Sequence, residues 1–341
     1  MTGALSTMVP EGFEQVAYGH DAATGLQAIV AIHSTVLGPS LGGTRFWPFA
    51  TEGAALVDVC RLASGGKAVI IGDPATIRTD ELILAFARFV DGLGGRYVTA
   101  EDVGTTQADM DLIRTVTPHV RGVSEDRGGS GDPSPATALG VLWAMKAVAE
   151  RRWGTSTLDD RHVCISGVGK VGAALADHLH AEGARLSLAD VRPAAVAAVT
   201  ARTGAGVVPA EGAHTVDCDI FSPCALGAVL SASTIPHLGA RAVVGSANNQ
   251  LATEQDAQRI HDSGVLYAPD YVANAGGVIN VFGEVARWDR EHALSKADEI
   301  YDTVLSVFEI AKTDGVPSYV AADRLAERRL KSAGKKWSPP R

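Results

Sequence analysis

The feature that most constrains the fold of this chain is a glycine-rich turn between two short apolar segments. Residues 162–190 read HVCISGVGKVGAALADHLHAEGARLSLAD. An apolar segment at 162–166 leads into the pattern G-x-G-x-x-G, a helical run of small and apolar residues follows, and a second apolar segment at 185–189 is followed by Asp190. Short apolar runs bounded by glycine predict buried strands. The segment therefore predicts a strand–helix–strand unit.

The three glycines and the terminal acid occupy the positions that a bound dinucleotide requires. Gly167 would make the tight turn, Gly169 would let a pyrophosphate approach the backbone, and Gly172 would let helix and strand pack closely. Free N–H groups at the helix N-terminus would bind the phosphates. Asp190 suits the ribose diol of NAD, although Arg192 nearby could accept the 2′-phosphate of NADP. The alternative is a glycine-rich turn that binds no ligand.

The bulk composition indicates a globular chain long enough for two domains. It has 341 residues, of which 46% are hydrophobic and 20% are charged. The net charge of −9 and the lack of a long basic run argue against a nucleic-acid partner. No apolar run approaches the ~20 residues of a membrane span, and the N-terminal residues do not resemble a signal peptide.

The cysteines favour a reduced, cytoplasmic protein. All four are scattered in apolar contexts: Cys60, Cys164, Cys218 and Cys224. No group of His, Cys and Asp has the spacing of metal ligands, so we expect no metal.

The sequence predicts two α/β domains. In the first, residues 13–19 and 26–33 form a hairpin, followed by alternating helices and strands: helix 52–63 stopped by residues 64–66, strand 67–72, helix 79–90, strand 96–100 and helix 107–116. Residues 122–135 are rich in Gly, Pro and Ser and mark a boundary. We therefore expect an N-terminal α/β domain over 1–134.

The second predicted domain, residues 135–319, begins with a long helix at 137–152 that leads into the glycine-rich unit. Three later strands, at 220–222, 242–245 and 265–268, each end in a polar or glycine-rich loop. This alternation is typical of a doubly wound Rossmann sheet with its site beyond the carboxyl ends of the strands. The remainder is helical, and we expect residues 320–341 to pack back on the first domain.

Two residues of the first domain could carry proton chemistry. Lys67 follows two glycines and opens an apolar strand, and Asp102 follows the end of another strand. A lysine in apolar surroundings can serve as a general base, because desolvation favours its neutral form. A carboxylate nearby could shuttle protons and attract an ammonium group. The alternatives are a surface lysine at a strand start and an acid that caps a turn.

Six segments, in order, resemble the glutamate/leucine/phenylalanine/valine dehydrogenase superfamily. They are LGPSLGGTR at 37–45, GGK at 65–67, TAEDVGT at 99–105, PCALG at 223–227, ANNQ at 247–250 and APDYVANAGG at 268–277. The resemblance runs from about residue 13 to 330 and is closest to the valine and leucine members.

The resemblance implies oxidative deamination, in which an L-amino acid, NAD and water give a 2-oxo acid, ammonia and NADH. It implies that Lys67 activates the attacking water, Asp102 relays protons and Asn274 binds the substrate carboxylate, with Gly42 and Gly43 allowing close approach to the substrate. Residues that match the cofactor site are Thr137, Gly167, Gly169, Lys170, Val171, Gly172, Asp190, Cys224, Ala225 and Asn248. A homo-oligomer is also implied, with residues 1–134 as the substrate and oligomerisation domain.

Substrate preference follows from four positions that match the family's side-chain pocket. All four are apolar: Leu41, Ala100, Val278 and Val281. No Lys or Ser stands there to receive a second carboxylate, which argues against glutamate, and bulky Leu41 favours branched aliphatic substrates. Valine, leucine and isoleucine cannot be ranked, because one methylene changes binding by only ~1–3 kcal/mol.

The resemblance breaks between Ala63 and Gly65. Here the family carries about fourteen more residues, the length of a turn plus a strand. They include a second lysine, in a Met-Thr/Ser-Tyr-Lys context, that binds the substrate carboxylate. Arg45 is a conceivable substitute, although a structural role suits it better. A displaced Lys67 would be costly, since a 1 Å misplacement can cost ~10²-fold in rate.

Two function classes therefore stay open. The first is a working or impaired branched-chain amino-acid dehydrogenase, which the retained Lys67, Asp102 and Asn274 favour. The second is a catalytically silent NAD-binding homologue with a structural or regulatory role. A third possibility is that the natural chain lacks the gap at Ala63–Gly65.

Overall fold

The computed structural model describes residues 12–36, 38–61, 63, 65–225, 227–286, 288 and 290–332. Contacts divide these residues into two compact units, with the main division between Asp132 and Pro133. Glu284–Ala286 and Leu330–Ser332 group with the first unit. No helix within the described ranges is long and apolar enough to cross a bilayer. The docking expected for residues 320–341 stays a prediction, because 333–341 lie outside the described part of the chain.

The first unit is built on a five-stranded mixed sheet with the order β1-β2-β4-β3-β5. Its strands are β1 (Gln15–Asp21), β2 (Leu26–Ile32), β3 (Ser40–Trp47), β4 (Gly66–Ile71) and β5 (Tyr97–Glu101). β1 and β2 form the predicted antiparallel hairpin. β2 and β4 are also antiparallel, whereas β3 runs parallel to both β4 and β5.

Helices cover both faces of this sheet. They are α1 (Glu52–Arg61), α2 (Pro74–Ile77), α3 (Asp80–Asp91) and α4 (Gln107–Arg114). Successive side chains of a strand point to opposite faces, so Val30 of β2 lies in the core with α3 and α4, while Ile29 packs with α1. As predicted, Thr79 caps α3, since its hydroxyl accepts a hydrogen bond from the N–H of Leu82 at 3.2 Å.

The structure differs from the sequence prediction around β3 and β4. β3 was not predicted, because the adjacent Gly42 and Gly43 weaken any strand pattern. Gly66, expected to help stop α1, instead begins β4, and neither it nor Gly65 has a positive φ. Ser64, the first residue of the expected helix stop at 64–66, lies outside the described residues.

The second unit contains a six-stranded parallel sheet with the order β11-β10-β9-β6-β7-β8. Its strands are β6 (His162–Ser166), β7 (Arg185–Ala189), β8 (Gly206–Val207), β9 (Cys218–Pro223), β10 (Ala240–Val243) and β11 (Leu266–Tyr267). The predicted strand–helix–strand unit is confirmed, with β6 and β7 paired in parallel. The chain thus has the two α/β domains that the sequence predicts, the second of them Rossmann-like.

The second unit also contains nine α-helices among its described residues, most of which connect the strands of its sheet or follow them. They are α5 (Ser134–Trp153), α6 (Lys170–Ala181), α7 (Pro193–Thr203), α8 (Gln255–Asp262), α9 (Asp270–Ala273), α10 (Gly276–Ala286), α11 (Arg290–Ser295), α12 (Glu299–Asp314) and α13 (Ser318–Ser332). From β6 the chain first builds outward through β7 and β8, then returns to build β9, β10 and β11 on the other side. The strand order therefore reverses between β6 and β9, where open α/β sheets bind ligands.

Candidate functional site

In the first unit the structure brings Lys67 and Asp102 into direct contact. Lys67 is the second residue of β4, and Asp102 follows the last residue of β5. β3 separates the two strands, and the lysine ammonium donates a hydrogen bond to Oδ2 of Asp102. The two side chains are 8% and 14% exposed, so the ion pair is largely withdrawn from water.

Arg45 of β3 makes this pair part of a larger charge network. Its Nη1 donates to Asp58 of α1 at 2.9 and 3.2 Å, and its Nε lies 3.4 Å from Oδ2 of Asp102. Burial opposes ionisation of Asp102, but Lys67 and then Arg45 outweigh it and hold the pKa of Asp102 below its usual value. Asp102 is therefore a carboxylate at neutral pH, positioned to receive a proton.

The structure gives a reason for glycine at positions 42 and 43 that the sequence did not reveal. A Cβ at Gly42 would overlap the carbonyl oxygen of Gly66, and one at Gly43 would lie 2.7 Å from the carbonyl oxygen of Glu101. The buried Tyr97 hydroxyl also donates to the carbonyl of Gly42 at 2.6 Å. Both glycines are therefore required by the packing of β3 between its neighbours, whatever the substrate.

In the second unit the three glycines of the turn have three different environments. Gly167 has a φ of +104°, which glycine adopts readily. A Cβ on Gly172 would overlap the carbonyl oxygen of Gly167, so this glycine lets α6 pack against the turn. At Gly169 the nearest atom to an added Cβ is 3.7 Å away, on the Arg192 side chain. Open space therefore lies beside the N-terminus of α6.

Asp190 closes this turn at the end of β7. Its carboxylate accepts hydrogen bonds from the backbone N–H groups of Val168 and Arg192, both at 2.8 Å, and from the Arg192 guanidinium at 3.2 Å. Burial opposes ionisation, but the Arg192 side chain and these N–H groups hold the pKa of Asp190 below its usual value. Asp190 is therefore an ionised carboxylate bound to the backbone of the glycine turn.

Asn248 and Asn274 are brought together beyond the ends of β10 and β11. The side-chain amide of Asn274 donates to Oδ1 of Asn248 at 2.7 Å and to the carbonyl of Ser246 at 3.2 Å. Both of its N–H bonds are thus engaged within the second unit. A carboxylate bound by Asn274 would have to replace one of these two contacts.

The other expected site residues lie in varied surroundings. Cys224 and Ala225 follow β9 and pack on Gly167, and the Thr137 hydroxyl donates to the carbonyl of Pro133 at 3.0 Å. Lys170 and Val171 begin α6. Of the four expected pocket residues, Ala100 and Val281 are buried, Leu41 is half-buried and Val278 is 60% exposed. Leu37 and Leu226, which belong to the matched segments, lie outside the described residues.

Several residues around these sites escaped the sequence reasoning. Asp58 lies 13 residues from Arg45, so nothing local signals that the two pair. Asp270 follows the Pro269 that ends the β11 loop, and its buried carboxylate accepts a hydrogen bond from the N–H of Asn249 at 2.6 Å. The only sequence signal for a role of Asp270 was its place just after a strand, where carboxylates often belong to a functional site. Among the described residues, no group of three or more His, Cys, Asp or Glu could hold a metal ion.

Comparison with known proteins identifies the family. The model of the Glu/Leu/Phe/Val dehydrogenase dimerisation domain matches residues 11–119, and that of Glutamate/Leucine/Phenylalanine/Valine dehydrogenase matches 128–198 and 186–336. The leucine dehydrogenase of Geobacillus stearothermophilus is 48% identical over an alignment of 341 positions, gaps included, which covers 96% of this chain and 93% of that protein. The valine dehydrogenase of Streptomyces coelicolor is 48% identical over 339 residues, which cover 94% and 93%.

A solved structure agrees with this assignment. The L-tryptophan dehydrogenase from Nostoc punctiforme has a TM-score of 0.82 and 42% identity, covering 96% of this chain and 98% of that one. The chain therefore belongs to the glutamate/leucine/phenylalanine/valine dehydrogenase family, whose members are NAD(P)-dependent oxidoreductases acting on the CH–NH2 group of amino acids. Both the leucine and the valine dehydrogenase are 48% identical to it.

The contrast between Gly169 and Gly172 gives a first prediction. Gly172→Ala should lower the free energy of unfolding by about 1–3 kcal/mol, because its methyl group has no room. Gly169→Ala should leave stability within about 0.5 kcal/mol but weaken NADH binding about tenfold, because its methyl group fills the space beside the helix N-terminus. Thermal unfolding and NADH fluorescence titration measure the two effects. Equal stability losses in both variants would contradict this division of roles.

Proposed function

We propose that this protein catalyses the reversible NAD-dependent oxidative deamination of branched aliphatic L-amino acids. The observation that carries the proposal is the buried contact between Lys67 and Asp102, a cation and a carboxylate placed together for proton transfer. The family supplies the reaction class, and the similarity to leucine and valine dehydrogenases supports the substrate class.

The chain's own residues would handle water and protons. In the forward direction, Lys67 would pass a proton to the carboxylate of Asp102 and then take a proton from the water that attacks the iminium carbon of the oxidised substrate. Asp102, which Lys67 and Arg45 hold ionised at rest, would give this proton to the amino group as ammonia leaves and then accept the hydroxyl proton as the 2-oxo acid forms. A positioned acid–base pair of this kind contributes typically 10²–10⁴-fold to a rate.

The residues of the second unit fit a nicotinamide dinucleotide. Gly169 leaves open space at the N-terminus of α6, and the ionised Asp190 suits a ribose diol. When bound, NAD accepts the hydride from the substrate carbon. The chain would hold the phosphates at the Gly167–Gly172 turn and the carboxamide end near Cys224, Ala225 and Asn248.

The apolar positions Leu41, Ala100, Val278 and Val281 support a branched aliphatic side chain over glutamate. They supply no cation or hydroxyl for a second carboxylate, and burying an unpaired carboxylate is strongly unfavourable. A charged substrate side chain should therefore be excluded.

Sequence length favours a second candidate, a catalytically silent NAD-binding homologue. The alignment with the Geobacillus leucine dehydrogenase extends over 341 residues yet takes in only 96% of this 341-residue chain, so the relative has residues without a counterpart here. This agrees with a deletion at Ala63–Gly65. Arg45 is a poor replacement for a lost carboxylate-binding lysine, because Asp58 and Asp102 already engage it.

We also infer a homo-oligomer that functions in the cytoplasm. The family model over residues 11–119 is that of a dimerisation domain. The described cysteines form no disulfide with one another, as in a reducing compartment.

The substrate proposal is tested by NADH formation with a panel of L-amino acids. Valine, leucine and isoleucine should exceed glutamate, phenylalanine and tryptophan in kcat/KM. Lys67→Ala should abolish turnover without changing NADH affinity, because the glycine turn lies in the other unit. Lys146→Ala, which removes the lysine–carboxylate pair with Glu182 on another surface, should leave turnover unchanged. Better turnover of glutamate would contradict the proposed substrate class, and NADH binding without any turnover would establish the silent homologue.

Cofactor preference gives a separate prediction. The native chain should bind NADH more tightly than NADPH, because the ionised Asp190 repels a 2′-phosphate. Asp190→Ala removes this repulsion and frees the Arg192 side chain, so the preference should narrow or reverse. Arg192→Ala is the matched control and should retain the preference for NADH. Fluorescence titration measures all three proteins, and tighter NADPH binding by the native chain would refute the assignment.

The deletion gives a prediction about substrate affinity. Loss of one charge-assisted contact should raise the KM for the amino acid roughly 30- to 150-fold above that of a family member that has the segment. Reinsertion of a family-like segment between Ala63 and Gly65 should lower the KM, while NADH affinity stays constant as the control. A low KM in the native chain would mean that another group has taken over the carboxylate.

A further inference from the structure

The turn that follows β10 is held by a fully buried glutamine. The side-chain amide of Gln250 donates to the carbonyls of Gly245 at 2.9 Å and Ala247 at 3.0 Å. The N–H of Ala247 in turn donates to the carbonyl of Pro223 at the end of β9. The turn is thus fastened to the neighbouring strand, and Asn248 projects from it as an exposed residue.

Asn249, the next residue of this turn, has a backbone conformation that needs support. Its φ is +52°, in the left-handed region that few non-glycine residues adopt. Its N–H donates to Oδ2 of Asp270 at 2.6 Å, and Asp270 is only 5% exposed. The Tyr267 hydroxyl donates to Oδ1 of the same carboxylate at 3.2 Å. The buried carboxylate of Asp270, which accepts both hydrogen bonds, therefore holds Asn249 in its left-handed conformation.

Asp270 also anchors the other half of the Asn248–Asn274 pair. Its backbone carbonyl accepts a hydrogen bond from the N–H of Asn274 at 2.8 Å. One residue thus binds the backbone of Asn274 directly and, through Asn249, the backbone next to Asn248. The separation of the two side-chain amides, which meet at 2.7 Å, depends on Asp270.

The strand order indicates which part of a dinucleotide this pair would face. Asp190, at the end of β7, lies on one side of the reversal between β6 and β9, and its side of the sheet takes the adenosine half. β10 and β11 lie on the other side. The Asn248–Asn274 pair is therefore on the side of the nicotinamide half.

We propose that Asp270 is a positioning residue that holds Asn248 and Asn274 in register for the nicotinamide half of the cofactor. This rests on the proposed function only in its use of a nicotinamide dinucleotide. Asp270 touches neither cofactor nor substrate in this role, and it acts through the backbone of Asn249 and Asn274.

The test compares NADH with ADP-ribose, which lacks the nicotinamide. Asp270→Leu, similar in shape but without an acceptor, should weaken NADH binding about tenfold or more and leave ADP-ribose binding within about twofold. Asp270→Asn should largely restore NADH binding, because its amide oxygen still accepts from the N–H of Asn249 while its NH2 group faces the Tyr267 hydroxyl oxygen. Fluorescence and calorimetric titrations provide the affinities.

Asp256→Leu is the matched control. Asp256 is buried in the same unit and accepts a hydrogen bond from a backbone N–H, that of Thr253, at 2.8 Å. Its loss should lower the melting temperature without changing the ratio of NADH to ADP-ribose affinity. Equal weakening of both ligands by Asp270→Leu, or the same change of ratio in Asp256→Leu, would overturn the proposal.

A second variant keeps the proposal testable if Asp270→Leu does not fold. Asn249→Val retains Asp270 but disfavours the left-handed backbone, because β-branched residues rarely adopt it, and should give the same selective loss of NADH binding. Unchanged NADH binding in this variant would overturn the proposal. A native chain that binds NADH without deaminating any amino acid would refute the proposed reaction alone. A native chain that binds neither NADH nor ADP-ribose would refute both the proposed reaction and the role of Asp270.

Discussion

The candidate site of the first unit depends on one buried contact, the ion pair between Lys67 and Asp102. A buried charge is tolerated only when it is paired and hydrogen-bonded. The structure meets this condition with a row of alternating cations and carboxylates, each in contact with the next: Lys67, Asp102, Arg45 and Asp58. Three adjacent parallel strands and α1 supply these groups, so the close packing of β3 at its two glycines is a condition for the charge network as well as for the sheet.

The second unit depends on a different constraint, the close approach of backbone to backbone. α6 can begin directly behind its turn because Gly172 has no side chain where the carbonyl of Gly167 lies. The same turn is open at Gly169, so the chain packs densely at one glycine and leaves room at the other. Asp190 joins the two features, because its carboxylate binds the N–H of Val168 within the turn and pairs with Arg192, the side chain nearest to the open space at Gly169.

Sequence predicted those parts of the molecule in which local pattern and final structure agree. The strands on either side of the glycine turn were predicted to the residue, and the hairpin to within two. β3 was missed because Gly42 and Gly43 form a strand only through pairing with β4 and β5, which lie far away in sequence. The pairing of Arg45 with Asp58 and the bond from Asn249 to Asp270 are likewise tertiary, so no local pattern could reveal them. Lys67 and Asp102 could be named as candidates, but not as a contact.

Charge balance limits what the network around Lys67 can bind. The network around Lys67 is neutral as it stands, and Arg45 is already engaged by two carboxylates. An added carboxylate would need donors of its own, because both cations of this network are already paired. Asn274 offers an amide whose two N–H bonds are already used by Asn248 and Ser246. Binding the carboxylate there exchanges one hydrogen bond for another instead of adding one, so the net gain is smaller than an unengaged lysine would give.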